Sequence, residues 1–526
     1  MGSTRRVRNA LNVSDLGRDY ETSLEPSRRR RDGVHYTPRL VADELVARAF
    51  APHREAIASG APFTVCDPTC GAGVFLVAAA EALVCAGRSP IGALACLRGM
   101  DIDPEAIVLA QRALYRWAQG YRISAEDCER HLQLVVGDAL NDAWPEDGRI
   151  DVVVGNPPFG GQLAGATIRS ESAVEGAARI LGRPAGYTDT AGVLLVRALS
   201  AVRPGGSVVF VQPLSVLGSR DGTIVRKLVG DALESIWIPD RLLFDAAVSV
   251  CAPVVRTPSS SAPVRSHELS AANWTELAAD ALGVPNLQLR GDELSSRALC
   301  TAGFRQEFYE IAAAVEEASS AEDVRLPRLI TVGLIDPGRS LWGERDAKVA
   351  GTTYKRPVVN ISKTTTSRKV AMLLPLRVQP KVLVATQTRV IEAVADHDGS
   401  LWPSVPVLSV LPKTVPITES TTTIRSAAVS ELDLLLAALC APPASVWAAR
   451  QAVGTARSPG AIRLSASLLQ RMPLPVDTVL WKRGAEQLRA GELGEAVVTL
   501  TRAHGLSDSE TDAVLDWWTP RSVRRF

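Results

Sequence analysis

No uninterrupted apolar run of about 18 residues occurs anywhere in this chain of 526, so a transmembrane helix is not expected. Arg5, Arg6 and Arg8 stand near the start with no apolar segment behind them, so a secretory signal is not expected either, and a cytoplasmic protein is the reading. Cysteine is sparse. The eight are scattered, the nearest pair being Cys66 and Cys70, and neither a Cys-x-x-Cys nor a Cys/His spacing suited to zinc appears. This argues for reduced, buried thiols and against a disulfide framework or a metal site. The single clear Gly-rich turn is not followed by Gly-Lys-Ser/Thr, which excludes a phosphate loop. Net charge is only +1, so the chain lacks the overall basic character of many nucleic-acid binders. No convincing internal repeat is present.

What is present is a series of strand-like runs, each closed by a polar or glycine-containing turn. Phe63 to Cys66 leads into Asp67-Pro68-Thr69-Cys70-Gly71-Ala72-Gly73 and then an Ala-rich helical run from Val77 to Ala86. Glycines in such a turn let the backbone approach a ligand closely. Gly99-Met100 ends in Asp101-Ile102-Asp103-Pro104 before a helical stretch from Glu105 to Gln119, and an acid at that place suits hydrogen bonding to ribose hydroxyls. Leu132 to Val136 is closed by Gly137-Asp138-Ala139-Leu140. The apolar run Asp151 to Gly155 stops at Asn156-Pro157-Pro158-Phe159, because neither proline offers an N–H to a ladder. That turn offers an amide, a carbonyl and an aromatic face at a strand's carboxyl end, where open α/β sheets bind ligands. The set suits a grip on the exocyclic amine of a planar base.

Together these motifs resemble the S-adenosylmethionine (SAM)-dependent DNA N6-adenine methyltransferases, whose catalytic motif is Asn/Asp/Ser-Pro-Pro-Tyr/Phe. The resemblance spans roughly residues 33 to 255 and extends to Tyr36-Thr37-Pro38, Tyr187 to Ala191, Gln212 to Ser215, Leu242-Leu243-Phe244 and, near the far end, Met472-Pro473-Leu474-Pro475. It implies a Rossmann-like α/β sheet with helices on both faces. It also implies that Tyr36, Thr37, Pro38, Asp67, Thr69, Cys70, Gly71, Gly73, Asp101, Ile102, Asp138 and Ala139 bind SAM. Asn156, Pro157, Pro158 and Phe159 would be catalytic, with Phe159 and Phe244 stacking on the extruded base. The cofactor turn precedes the Asn-Pro-Pro-Phe turn, and three β-α units fill the interval, so target recognition is expected after residue 255, the γ-type order.

The hydrophobic content of 46% supports two cores. The expected organisation is a basic, disordered leader over 1–32, a catalytic domain over 33–257, an α+β target-recognition domain over 258–480 and a helical tail over 481–526. The linker reading rests on Pro258 to Pro263, and the tail is read as two helices, Trp481 to Arg489 and Ser507 to Trp518. From Ala347 to Ile391 there is no acidic residue, while Lys348, Lys355, Arg356, Lys363, Arg368, Lys369, Arg377, Lys381 and Arg389 are all basic. Lys355, Arg356, Lys363, Arg368 and Lys369 are therefore expected on double-stranded DNA. Leu434 to Val476, with Arg450, Arg457, Arg463 and Arg471, is the second choice.

The same Asn-Pro-Pro turn also suits methylation of a protein glutamine amide or an RNA base. Neither explains the Thr-Pro element, the long C-terminal region and the closing Met-Pro-Leu-Pro segment together. A DNA-binding subunit with a dead site would show a broken cofactor turn or a broken Asn-Pro-Pro-Phe, and both are intact. With 32 residues ahead of Gly33, no fused upstream nuclease is expected. A separate nuclease or defence-system subunit stays open as a partner.

Overall fold

The computed structural model describes residues 37–160, 171–239, 250–259, 274–303, 305–319, 326–363, 375, 377–413, 430–453 and 460–523. Tyr36, Phe244, Arg368, Lys369 and the leader 1–32 lie outside the described residues. The chain divides into two compact units, Met1–Ala281 and Leu282–Phe526.

In the first unit, the described strands β1 (Val65–Asp67), β2 (Leu97–Asp101), β3 (Gln133–Val136), β4 (Ile150–Gly155), β5 (Val202–Phe210), β6 (Gln212–Pro213), β7 (Leu233–Trp237) and β8 (Val250–Arg256) form one sheet. Its order is β3-β2-β1-β4-β5-β8-β6, with β7 also paired to β8. The pairs from β3 to β5 are parallel and those made by β8 are antiparallel. The order reverses between β1 and β4, so their carboxyl ends flank the crevice where such sheets bind ligands.

The central strands β1, β4 and β8 are buried nearly throughout because both faces are covered, whereas β3 at the edge is largely exposed. Val152 and Val154 of β4, Val209 of β5 and Ala252 and Val254 of β8 share a core with helices α1 (Arg39–Phe50), α2 (Val74–Cys85) and α3 (Pro104–Gln119). Strand alternation turns Val153, Val208 and Phe210 to the opposite face, where they are equally buried. Helix α4 (Thr190–Ala201) packs against β5 and carries the chain from β4 to β5. Each fully buried Val or Phe of this kind contributes roughly 1.5–3 kcal/mol. The α/β sheet expected from the sequence is therefore present. Helix α1 begins directly after Pro38, and Glu44 on it accepts a hydrogen bond from Trp237 Nε1 of β7 at 2.8 Å.

In the second unit, Val315–Glu317, Pro357–Val359, Arg328–Ile330 and Leu401–Pro403 pair in that order in one sheet. Ala393–Asp396, Lys381–Val384, Leu408–Pro412 and Ala298–Ala302 pair in another. Helices Glu431–Cys440, Pro442–Ala452, Thr478–Arg489, Leu493–Arg502 and Asp508–Ser522 pack among themselves. The two tail helices read from the sequence are joined by a third, Leu493–Arg502. Gly494 and β-branched Val497, Val498 and Thr499 hide it from propensity, and burial of Ala496, Val497 and Leu500 overrides that weak preference. Trp481 Nε1 donates to Leu434 O at 2.9 Å, tying the tail to this unit. No single described helix is long and apolar enough to cross a membrane.

Candidate active site at the carboxyl ends of β1 and β4

Asp67 ends β1 and Asn156 follows β4, so the two motifs found separately in the sequence meet at the reversal point of the sheet. Their contact is direct. A Cβ built on Gly155 would lie 2.5 Å from Asp67 Oδ1 and 3.0 Å from its Cγ, so only glycine fits there. Sequence reading gave Gly155 no role. The signal was a glycine closing the Val152-Val153-Val154 run.

The Gly-rich turn is built around Asp67 and Asp101. Asp67 Oδ1 accepts from the Thr69 amide at 3.1 Å. Asp101 Oδ2 accepts from Gly71 N at 2.8 Å and its Oδ1 from Asp103 N at 2.9 Å. Cys70 N donates to Met100 O at 2.8 Å. Gly71 has φ +52° with nothing near its missing side chain, and Gly73 has φ +83° with Ala110 Cα and Cβ only 3.1 Å from where its Cβ would stand. Gly71 therefore keeps an open approach to backbone amides, while Gly73 lets α2 pack closely on α3. Asp103 has a different task from Asp101: it caps α3, accepting from Glu105 N at 3.0 Å.

Burial lifts Asp67 to about 8, against the backbone hydrogen bond from Thr69 and with further help from the negative charge of Asp101. Burial also raises Asp101, opposed by its amide donors. Burial pushes the Cys66 and Cys70 thiols up as well, which keeps them inert. Two carboxyl groups whose ionisation is opposed by their surroundings suit a cationic ligand, which restores the charged form. Ile102, exposed at 69%, offers an apolar surface beside them. Asp138 is more self-contained: Leu140 N donates to Oδ1 at 2.9 Å and Asn141 Nδ2 to Oδ2 at 2.7 Å, while buried Ala139 accepts from Trp144 Nε1 through its carbonyl. Each Asp138 oxygen retains a further lone pair.

The Asn156-Pro157-Pro158-Phe159 turn is held at both ends. Asn156 Nδ2 donates to Thr37 Oγ1 at 2.9 Å. Gly160, just past the turn, donates its amide to Asp189 Oδ1 at 3.4 Å, and its carbonyl accepts from Thr190 N at 3.0 Å and Thr190 Oγ1 at 3.3 Å. Asp189 is at the same time the N-cap of α4, accepting from Ala191 N at 3.0 Å. An Asp directly ahead of an apolar helical run is a favoured helix N-cap. Pro157 is buried, Asn156 and Phe159 are half-buried, and Phe159 packs on the sheet core. Among the described residues no group of three or more His, Cys, Asp and Glu side chains is placed to share a metal ion.

In the second unit, the acid-free stretch of sequence is not acid-free in space. Lys381 is fully buried in an ion pair with Asp396, and Arg377 is buried on Glu307 with contacts of 2.8 and 2.9 Å. Lys363 pairs with Glu316, and Arg356 lies 3.7 Å from Glu317. Glu317 also accepts from the amides of Lys355 and Arg356 at 2.9 and 2.8 Å. The Lys355 side chain is exposed. Arg450, from the second basic stretch, is buried and donates to Val284 O at 2.8 Å.

Comparison with known proteins agrees with this architecture. Two curated relatives match over part of their length. One is the type II methyltransferase M.VspI of Vibrio sp. (strain 343), 27% identical over 155 residues, 30% of this chain and 32% of the relative. Another is the modification methylase CviBIII of Paramecium bursaria Chlorella virus NC1A, 24% identical over 151 residues, 29% of this chain and 32% of the relative. The match thus spans about a third of each relative. The solved structure of the type IIL restriction-modification enzyme MmeI in complex with DNA is similar in fold, with a TM-score of 0.59 at 14% identity, covering 96% of this chain and 80% of that one. The family model described as N-6 DNA Methylase matches residues 12–261. That segment, a little under half of the chain, holds both the Gly-rich turn and the Asn-Pro-Pro-Phe turn, so the chain is similar to the N-6 DNA methylases there.

Proposed function

We propose that the chain is a site-specific DNA adenine-N6 methyltransferase that takes its methyl group from SAM and serves a restriction-modification or anti-phage system. The observation that carries this reading is the contact of Asp67 with Gly155, which sets a turn suited to a cationic cofactor directly beside a turn suited to an amine. Both curated relatives are named as methyltransferases or modification methylases, which supports the same reading.

The residues fit SAM. Thr69, Cys70 and the Gly71 and Gly73 backbone, with Asp67, Tyr36 and Pro38, would hold its methionine end. Asp101 would bind the ribose, Ile102 and Ala139 would pack on the adenine, and Asp138 would accept from its amine. SAM, when bound, supplies a methyl group already activated on a sulfonium. No residue of the chain therefore has to form a covalent intermediate. Asn156 and the Pro157 carbonyl accept the two hydrogens of the target amine. The amine lone pair is conjugated into the ring and is a poor nucleophile. Two fixed acceptors favour a more pyramidal nitrogen and stabilise the positive charge that grows on it. The base cannot be reached inside a duplex, so it is flipped out. Phe159 then stacks on it, with Phe244 as the second ring.

The domain assignment belongs to the same proposal: catalysis over 33–257, recognition over 258–480, and a tail over 481–526 that packs on the second unit. DNA is the partner, met by Lys355, Arg356, Lys363, Arg368 and Lys369. Asn156→Ala tests the whole. Loss of one preorganised partner of the reacting group costs about 3–4 kcal/mol, by analogy with an oxyanion-hole donor. Host DNA from cells expressing the wild-type chain should carry N6-methyladenine at one sequence motif, read by single-molecule sequencing, and DNA from cells expressing the variant should carry none. Unmodified DNA in both would refute the proposal.

A further inference from the structure

We infer that Thr37 is a positioning residue that orients the Asn156 amide, rather than a ligand of the cofactor; the inference rests on the methyltransferase reading above. Thr37 is 4% exposed and stands immediately before Pro38, ahead of α1. Its hydroxyl lies 2.9 Å from Asn156 Nδ2 across 119 residues of sequence. Helix α1 fixes its place, because it packs against α2, β4 and β5 and is tied to β7 through Glu44 and Trp237.

The physical need for such a residue follows from the amide itself. An Asn side chain carries an acceptor on one side and a two-hydrogen donor on the other, and a half-turn about its last torsion exchanges them. A target amine needs an acceptor. An NH2 group turned toward it would set donor against donor. The amide is planar, so holding its nitrogen on Thr37 directs its oxygen to the opposite side. Backbone anchors at Gly160 fix the turn but leave that torsion free. The hydroxyl of Thr37 accepts from the amide nitrogen, and its burial keeps water from competing for the bond.

The test compares Thr37→Val, which keeps the shape and removes the hydroxyl, with Thr37→Ser, which keeps the hydroxyl. With saturating SAM and target DNA, the single-turnover rate of Thr37→Val should fall at least tenfold while the Kd for SAM, measured by calorimetry, stays within threefold. Thr37→Ser should recover most of the rate. The side-chain amide resonance of Asn156, assigned by its loss in Asn156→Ala, should shift in Thr37→Val and return in Thr37→Ser. Weaker SAM binding with an unchanged rate at saturation would make Thr37 a cofactor ligand and overturn the inference. So would an unshifted Asn156 resonance. If the wild-type protein methylates no adenine-containing DNA, the function reading falls on its own, and the resonance still decides whether Thr37 holds Asn156.

Discussion

The carboxylate of Asp67 lies against the α-carbon of Gly155, so close that a Cβ on residue 155 would stand 2.5 Å from Oδ1. One residue later the chain presents Asn156. A group that suits the cofactor and a group that suits the substrate amine are thus in register through a single backbone position. Gly155→Ala forces either the carboxylate or β4 to shift. We expect SAM affinity and methyl transfer each to fall at least tenfold, with a stability loss of about 1–3 kcal/mol from overpacking. Calorimetry with SAM, single-turnover assays and thermal melts read the three effects. Wild-type affinity in a folded variant would dissolve the coupling.

The buried position of Asp67 also sets a pH dependence. Burial, with the charge of Asp101, lifts this carboxyl to about 8, so the ligand-free site keeps its proton at neutral pH. A cation favours the ionised form and must displace that proton. SAM affinity should therefore rise between about pH 6 and 7.5, by up to about tenfold per unit, a window below the titration of SAM's own amino group. Asp67→Asn should flatten the profile. The stability sign is the opposite. The folded value exceeds the unfolded one, so this group's contribution is present below about pH 4 and is lost as pH rises to about 8. Ligand-free melting temperature should decline over that window less in Asp67→Asn than in wild type. A SAM affinity independent of pH would show that Asp67 is not the group that meets the cation.

Asp189 anchors the far end of the Asn-Pro-Pro-Phe turn through Gly160 and caps α4 with the same oxygen. Asp189→Ala should cost about 1 kcal/mol as a lost cap and lower the transfer rate severalfold without changing SAM affinity. Asp189→Asn keeps a side-chain acceptor and should restore both. A rate unaffected in the Ala variant would mean that Thr190, whose amide and hydroxyl also meet Gly160, suffices as the anchor.

The legible part of this site is local. Asp67, Gly71, Asp101 and Asn156 each sit in a short stretch whose turn chemistry and flanking periodicity announce a strand end, and the sheet delivers them to one edge. What stayed hidden depends on contacts between distant segments. The bond from Asn156 to Thr37 exists because α1 packs across β4 and β5, which no local pattern encodes. The acidic neighbours of the basic stretch were hidden in the same way. Ala347 to Ile391 holds no acid, yet Glu316, Glu317, Glu307 and Asp396 come to it from neighbouring elements.

That difference separates the cations by experiment. Lys381 is buried with Asp396, so Lys381→Ala leaves an uncompensated buried carboxyl and should cost about 3–5 kcal/mol of stability. The double change Lys381→Met with Asp396→Leu should recover much of it, because a well-packed apolar pair replaces a desolvated ionic one. Lys355 has an exposed side chain, and Lys355→Ala should leave the melting temperature unchanged. If Lys355 neutralises a phosphate, its loss should lower the log–log salt slope of DNA binding by about 0.9. Lys363 is an intermediate case: it is exposed but paired with Glu316, whose carboxyl that hydrogen bond holds below the usual range. Glu316→Gln should therefore strengthen DNA binding by freeing Lys363, and the gain should vanish in Lys363→Ala. Filter binding at several salt concentrations reads all of these. Wild-type salt dependence in Lys355→Ala and in Glu316→Gln would turn this surface away from DNA and leave the exposed Arg463 and Arg471 as the cations to examine.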